Sequence, residues 1–259
     1  VSRELIKSGN SVTVITEKYQ SNLRTEEIKD GIKIVRFTYP KIRFLGLLYI
    51  WFWLWKNRSL IKQSDIVHCH DVFIWYLPFR FLYPKKPVYT TFHGWEGIWP
   101  IPWKNIFYKK LAAKLSSGTI AVGKYIEKYY GIKADKITYG GTEEIKNLRT
   151  KKIKNSMVFL GRLEEDTGIM EYIRSLVHGY KDYQIDFVGD GTLREKCEKY
   201  GIVHGFVDPT AFLQKAEICI PGGYLSYLEA KAFGCKIMTF ANNPLKKDYW
   251  QEIEKLKTM

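Results

Sequence analysis

The sequence predicts an α/β protein of two doubly wound domains, each a parallel sheet flanked by helices. Three observations lead there. Short β-branched and aromatic runs alternate with helical stretches along the whole chain. Many of the stretches between strands are long enough, at roughly ten residues or more, to be the crossover helices that parallel pairing requires. The 259 residues, 46% hydrophobic and 15% aromatic, can fill two cores of ordinary size.

The opening run, residues 1–10, reads as the tail of a helix with Gly9 as its stop, so the first strand of an α/β unit is expected to be lacking. Strands are predicted at 11–16, 32–37, 65–69, 88–92, 119–122 and 136–139, and again at 157–160, 184–188, 217–220 and 236–240. Helices are predicted near 45–62, 103–116, 123–131, 167–178, 191–200, 209–215, 225–233 and 245–257. Residues 143–155 are polar, charged and without clear periodicity, and read as a linker. The domains are therefore expected at 1–145 and 151–259. In such sheets ligands sit beyond the carboxyl ends of the strands.

The net charge of +14 is uneven. Residues 1–150 hold 25 Lys and Arg against 12 Asp and Glu, whereas residues 151–259 hold 16 against 15. The first half thus suits a polyanionic partner, or simply a Lys-rich solvated surface. The longest apolar run, 44–55 (FLGLLYIWFWLW), is flanked by Lys41, Arg43, Lys56 and Arg58. It is too short to span a bilayer as a helix, which takes about 20 residues. Its Trp and Tyr content with basic ends fits a helix lying on an anionic membrane, and equally a buried core helix. Four scattered cysteines without a C-x-x-C pair read as buried reduced thiols, which places the protein in the cytoplasm. No nucleic-acid-binding motif is present, and no nucleic-acid partner is expected.

The chemistry-bearing residues stand at predicted strand ends. Pro221-Gly222-Gly223 is a tight turn before a helix carrying one carboxylate, Glu229. Such a pairing is where α/β proteins hold nucleotides, though a solvent pair or helix cap would also explain the acid. Gly161-Arg162 ends the strand 157–160, where a guanidinium can fork onto phosphate oxygens or pair with Glu164, Glu165 and Asp166. Gly189-Asp190-Gly191-Thr192 lies between a strand and a helix whose amino end would favour an anion, or is a plain βα turn. Asp65-Ile66-Val67-His68-Cys69-His70-Asp71 ends in polar groups. His68 is expected to be structural, with His70 and Asp71 facing the cleft. His93-Gly94 ends another strand, and Glu96 follows within reach.

These motifs, in this order, resemble the GT4 type of GT-B glycosyltransferase from about residue 5 to about residue 240. The run 221–237 is similar to that family's P-S-x-x-E-G-x-x-x-x-x-x-E-A-x-A-x-G-x-P-V. The first Glu is absent, and the loop is four residues short. Gly161-Arg162-Leu163 matches G-R-L-x-x-x-K-G with Thr167 in place of Lys. Residues 185–191 match its strand with G-D-G, 65–71 its D-I-V-H-A-H-D, and 87–96 its P-x-V-x-T-x-H-G-x-E. Residues 139–143 follow its P-N-G-V-D loosely, with Gly140-Gly141 in place of Asn-Gly.

The resemblance implies two Rossmann-like domains facing across a cleft. It implies retaining, metal-independent transfer from a nucleoside-diphosphate sugar to a hydroxyl, with no cofactor beyond that co-substrate. His93 is then the catalytic-site residue. Gly161, Arg162, Gly189, Gly191, Gly222, Gly223 and Glu229 hold the donor, with Glu229 on the ribose. His70, Asp71, Gly94 and Glu96 lie on the acceptor side. The acceptor is a glycan or lipid-linked, and the basic first half meets an anionic membrane. The alternative is a non-catalytic protein of this fold that binds a glycan or nucleotide, which the replaced side chains favour.

Overall fold

The computed structural model describes residues 1–42, 44–94, 96–139, 151–179 and 182–256. The chain divides into two compact units, Val1–Val88 and Tyr89–Met259. This division falls at residue 88 rather than at 143–155. Residues 140–150 of the expected linker region lie outside the described residues, and residues 153–155 already belong to a strand.

The first unit runs α1 (Ser2–Lys7), β1 (Thr13–Glu17), β2 (Glu26–Lys29), β3 (Ile32–Phe37), α2 (Leu45–Lys56), α3 (Arg58–Gln63), β4 (Val67–His70) and α4 (Phe73–Leu82). Its sheet has the order β1-β3-β2. β1 and β3 are parallel, and β2 pairs antiparallel with β3. Asp30 (φ 52°) and Gly31 (φ 78°) make the two-residue turn between them, with both residues in the left-handed region as such a hairpin demands. The core gathers Val35, Phe37, Ile50, Leu54, Phe73 and Phe79. Phe37 stacks on Trp53 at 4.7 Å, and the Trp51 indole donates to the Ile74 carbonyl at 2.9 Å.

The second unit opens with β5 (Val88–Phe92), α5 (Trp103–Leu115), β6 (Gly118–Ala121), α6 (Lys124–Tyr130) and β7 (Lys136–Ile137). β5, β6 and β7 pair in parallel. There follow β8 (Ile153–Leu160), a 3-10 turn at Glu165–Thr167, α7 (Ile169–Gly179), β9 (Gln184–Val188), α8 (Arg194–Cys197), β10 (Ile202–Gly205) and α9 (Thr210–Lys215). The unit ends with β11 (Ala216–Pro221), α10 (Tyr224–Ala232), β12 (Lys236–Ile237) and α11 (Pro244–Lys255). These later strands form one parallel sheet of order β10-β9-β8-β11-β12.

The two-residue period of the strands divides its core. Met157, Phe159, Ile185, Phe187, Ile218 and Ile220 pack with Ile169, Tyr172 and Ile173 of α7. Val158, Leu160, Val188 and Cys219 pack on the other face with Leu213, Ala230 and Phe233. α11 docks on α6, where Glu252 Oε2 accepts the Lys124 N–H at 2.9 Å and the Tyr139 hydroxyl at 2.7 Å. All four cysteines are buried free thiols, as expected, and burial pushes Cys197 up to about 11.

Candidate functional site

In the order β10-β9-β8-β11-β12 the chain winds outward from β8 in one direction and from β11 in the other. The switch point therefore lies between the carboxyl ends of β8 and β11, where open parallel sheets hold ligands. Gly161 and Gly222 meet there. A Cβ on Gly161 would stand 2.9 Å from the Gly222 Cα, and one on Gly189 would stand 1.9 Å from the Gly161 carbonyl oxygen. Gly161 and Gly189 also hold φ of 156° and 148°, which side chains rarely tolerate. A Cβ on Gly191 would meet the Leu163 carbonyl oxygen at 2.4 Å. Three loops thus pack backbone on backbone, and the packing alone requires these four glycines. Gly223 differs: its backbone is extended, and the nearest atom to its would-be Cβ is the Tyr249 hydroxyl at 3.8 Å.

Gly223 precedes α10, whose first turn the Ser226 hydroxyl closes by donating to the Gly223 carbonyl at 2.9 Å. Glu229 lies on this helix, part-buried, and its carboxylate has no hydrogen bond or ion pair among the described residues. Burial first, and the Asp208 charge second, raise its carboxyl above the ordinary range. An unpartnered carboxylate with a raised pKa beside a switch point is a ready acceptor for hydroxyl groups.

Arg162 stands at the end of β8 with its side chain 63% exposed, and its Nη2 donates to Asp166 at 2.7 Å. It lines an open cavity of about 480 Å³ together with Glu96, Gly97, Ile98, Glu164, Glu165, Asp166 and Thr192. Four carboxylates face one guanidinium there. The expected anion seat at Thr192 is already filled, a correction to the sequence reading. Glu164 accepts the Thr192 N–H at 3.0 Å and its hydroxyl at 2.6 Å, which holds Glu164 below the usual carboxylate range. α8 beyond it spans only Arg194–Cys197. Thr167 is buried, and its hydroxyl donates to the Glu164 carbonyl at 2.6 Å, closing the 3-10 turn.

The loop after β5 reaches the same region, since a Cβ on Gly97 would fall 2.6 Å from the Asp166 Cβ. His93 is exposed at the end of β5. Lys109, buried at 6% exposure, donates to the Gly94 carbonyl at 2.8 Å and pairs with Glu96 Oε1 at 3.3 Å. Glu96 Oε2 also accepts the Tyr130 hydroxyl at 2.6 Å. Glu96 therefore serves to fix the His93-Gly94 segment to α5 and α6.

In the first unit, His70 and Asp71 are exposed at the end of β4, and Asp71 holds a φ of 61°. His68, expected to be structural, is exposed as well. It lies two residues from His70 on the same strand face, and the rings stack at 4.4 Å. Among the described residues no group of three His, Cys, Asp or Glu side chains is placed to hold a metal ion.

Sequence reasoning missed Lys246. It is 9% exposed on the first turn of α11, where Asn243 caps the helix by accepting the Lys246 N–H at 2.9 Å. The available signal was a spacing: Lys246, Trp250 and Ile253 form an i, i+4, i+7 stripe, and all three are buried.

A parallel sheet with core on both faces and glycine turns at its switch point defines a doubly wound α/β protein. Glycosyltransferase Family 4 matches residues 1–139, over half of the chain, and the chain belongs to that family. No curated protein matches the sequence. Solved structures share the GT-B fold at low identity. Anabaena Alr3699/HepE, in complex with UDP and glucose, aligns with a TM-score of 0.61 and 15% identity over 88% of this chain and 77% of that one. A putative UDP-N-acetylglucosamine 2-epimerase from Listeria monocytogenes gives 0.56 and 15% over 99% and 81%. A glycosyltransferase from Rickettsia africae ESF-5 gives 0.56 and 14% over 99% and 82%.

Proposed function

We propose that the protein transfers a sugar from a nucleoside-diphosphate sugar to a hydroxyl acceptor, with retention at the anomeric carbon and without a metal. The observation that carries this reading is Glu229, a part-buried carboxylate without a partner beside the switch point. In this reading it accepts hydrogen bonds from the two ribose hydroxyls of a nucleotide. The family match and the UDP and glucose of the Anabaena structure support it. Arg162 stabilises the diphosphate as the bond to the anomeric carbon breaks, once it exchanges Asp166 for phosphate oxygens. His93, at the end of β5, contacts the sugar. The acceptor oxygen adds from the face the diphosphate leaves, and the diphosphate takes its proton.

The acceptor is a glycan or a lipid-linked molecule, and the protein works at an anionic membrane surface in the cytoplasm. Its exposed aromatic helix α2 supports that placement. No helix of the described residues is long and apolar enough to cross a membrane.

Calorimetry with UDP, GDP and ADP, without metal, tests the donor site. One nucleotide should bind at micromolar Kd and lose at least about tenfold, near 1.4 kcal/mol, in Arg162→Ala. No binding to any of the three by the folded protein overturns the reading. Binding without transfer or donor hydrolysis would favour a non-catalytic nucleotide-binding protein, the reading to which the acidic cavity around Arg162 points.

A further inference from the structure

Lys246 is a charge in an unusual position. It is buried on the first turn of α11 and makes no ion pair or side-chain hydrogen bond among the described residues. Its Nζ lies 6.0 Å from the centre of the Tyr249 ring, whose hydroxyl is the atom nearest the open side of Gly223. Burial pulls its pKa down, Asp166 pulls it back up, Arg162 pushes it down again, and Glu171 raises it. An ammonium so enclosed lacks the close counter-charge that buried cations ordinarily have. Lys246 feels the charges of both Asp166 and Arg162, and Asp166 is already bonded to Arg162.

The sequence supplies the other half of the argument. The motif that residues 161–168 resemble has a Lys where this chain has Thr167, and the Thr167 hydroxyl is spent on closing a turn. That side chain has no charge to offer a diphosphate.

We infer that Lys246 is the second cation of the donor site, reaching from α11 to bind the diphosphate of the nucleotide sugar together with Arg162 and so replacing the Lys absent at 167. The inference rests on the donor-site reading and assigns that site a residue from a different element. The diphosphate is the missing counter-charge. It would approach over the Gly222-Gly223 turn, toward the amino end of α10, rather than through the acidic cavity lined by Glu96, Glu164, Glu165 and Asp166.

The test compares the full chain with Lys246→Met, which keeps length and apolar volume but removes the charge, and with the double variant Lys246→Met/Thr167→Lys. UDP, GDP and ADP, their monophosphates and inorganic pyrophosphate are the probes, read by calorimetry and thermal shift. Lys246→Met should melt higher than the wild type without ligand, because an unpaired buried charge is gone. It should bind the preferred diphosphate at least tenfold more weakly, with a smaller loss for the monophosphate. Adding Thr167→Lys should recover part of the diphosphate affinity. A role confined to packing would move the melting temperature without this phosphate-dependent pattern. If the wild type binds a diphosphate, Arg162→Ala weakens it and Lys246→Met does not, the inference is wrong while the donor site stands. If the wild type binds none of the probes, the inference and the reading it rests on fail together.

Discussion

At the scale of single residues, the site is organised by which polar groups already have partners. Arg162, Glu164, Glu96 and Thr167 are each engaged by the protein itself. The side chains of Glu229 and Lys246 have no hydrogen bond or ion pair among the described residues. Glu229 allows a stability test that needs no ligand. Its folded-state pKa is raised above the ordinary 4.5, so the folded protein holds this proton more tightly than the unfolded chain does. Below about pH 4 both states are protonated and the carboxyl costs nothing. As pH rises through the ordinary value and then the raised one, the unfolded state ionises more easily and stability is lost. Glu229→Gln should therefore melt above the wild type at pH 7.5, with the difference closing as the pH is taken down to 4. Thermal melts at four or five pH values decide it, and a gap that widens toward acid refutes the assignment. The same variant should bind the preferred nucleotide about tenfold more weakly, since an amide accepts ribose hydroxyls less strongly than a carboxylate.

At the scale of elements, the parallel sheets were legible because buried strands announce themselves. Ile32–Phe37, Val88–Phe92 and Gln184–Val188 fall on the predicted bounds. What escaped was whatever lacked that contrast. β2 reads EEIK, an exposed charged edge with no apolar face, and only the Asp30-Gly31 turn betrays its hairpin. α4 reads FIWYLPFRFL, apolar nearly all round with Pro78 inside, so no helical period stands out. β10 has only four residues, and its register shifts beside Gly205. The candidate site was legible in its glycines and in Glu229, because turns and an acid on an apolar helix leave a linear trace. Lys246 was not, because a Lys in NNPLKKDYW looks solvated until α11 is docked.

That docking carries the next prediction. Asp248 accepts from Lys128 and from the Tyr129 hydroxyl, while Glu252 accepts from Lys124 and Tyr139. Replacing both acids with Ala removes four charge-assisted hydrogen bonds from partly exposed positions. We expect a loss of about 2 kcal/mol, discounted for solvent screening, and faster amide exchange in α6 than in β8 or β9. An unchanged exchange rate in α6 would show that apolar contacts alone hold α11 in place.

At the scale of the whole molecule, charge and apolar surface are concentrated in the early part of the chain. Residues 1–150 carry 25 basic against 12 acidic residues, while the rest is nearly neutral. Within the first unit, α2 buries Gly46, Ile50 and Leu54 and turns Leu45, Leu48, Tyr49, Phe52 and Trp55 outward. Phe44, just before it, is 71% exposed. Both faces of this helix are apolar, and a solvated helix would not be built so. The cations beside it keep to the aromatic rim: Lys56 Nζ lies 4.6 Å from the centre of the Phe52 ring, and the Arg58 guanidinium 4.9 Å from that of Trp55. Rings that enter the acyl boundary while their neighbouring cations meet headgroup phosphates would satisfy both halves of this surface.

The protein should therefore sediment with vesicles containing anionic phospholipid and far less with purely zwitterionic ones. Phe52→Asp/Trp55→Asp should reduce binding by more than tenfold. Each ring contributes on the order of 2 kcal/mol when buried, and each new carboxylate is repelled by the surface. Raising salt from about 0.05 to 0.5 M should weaken the wild type but not abolish its binding, because screening removes the phosphate attraction and leaves the apolar insertion. Complete release by salt would mean that the Lys and Arg side chains act alone and that the aromatic face serves something other than a bilayer. Binding that ignores both lipid charge and salt would refute the electrostatic half of the argument.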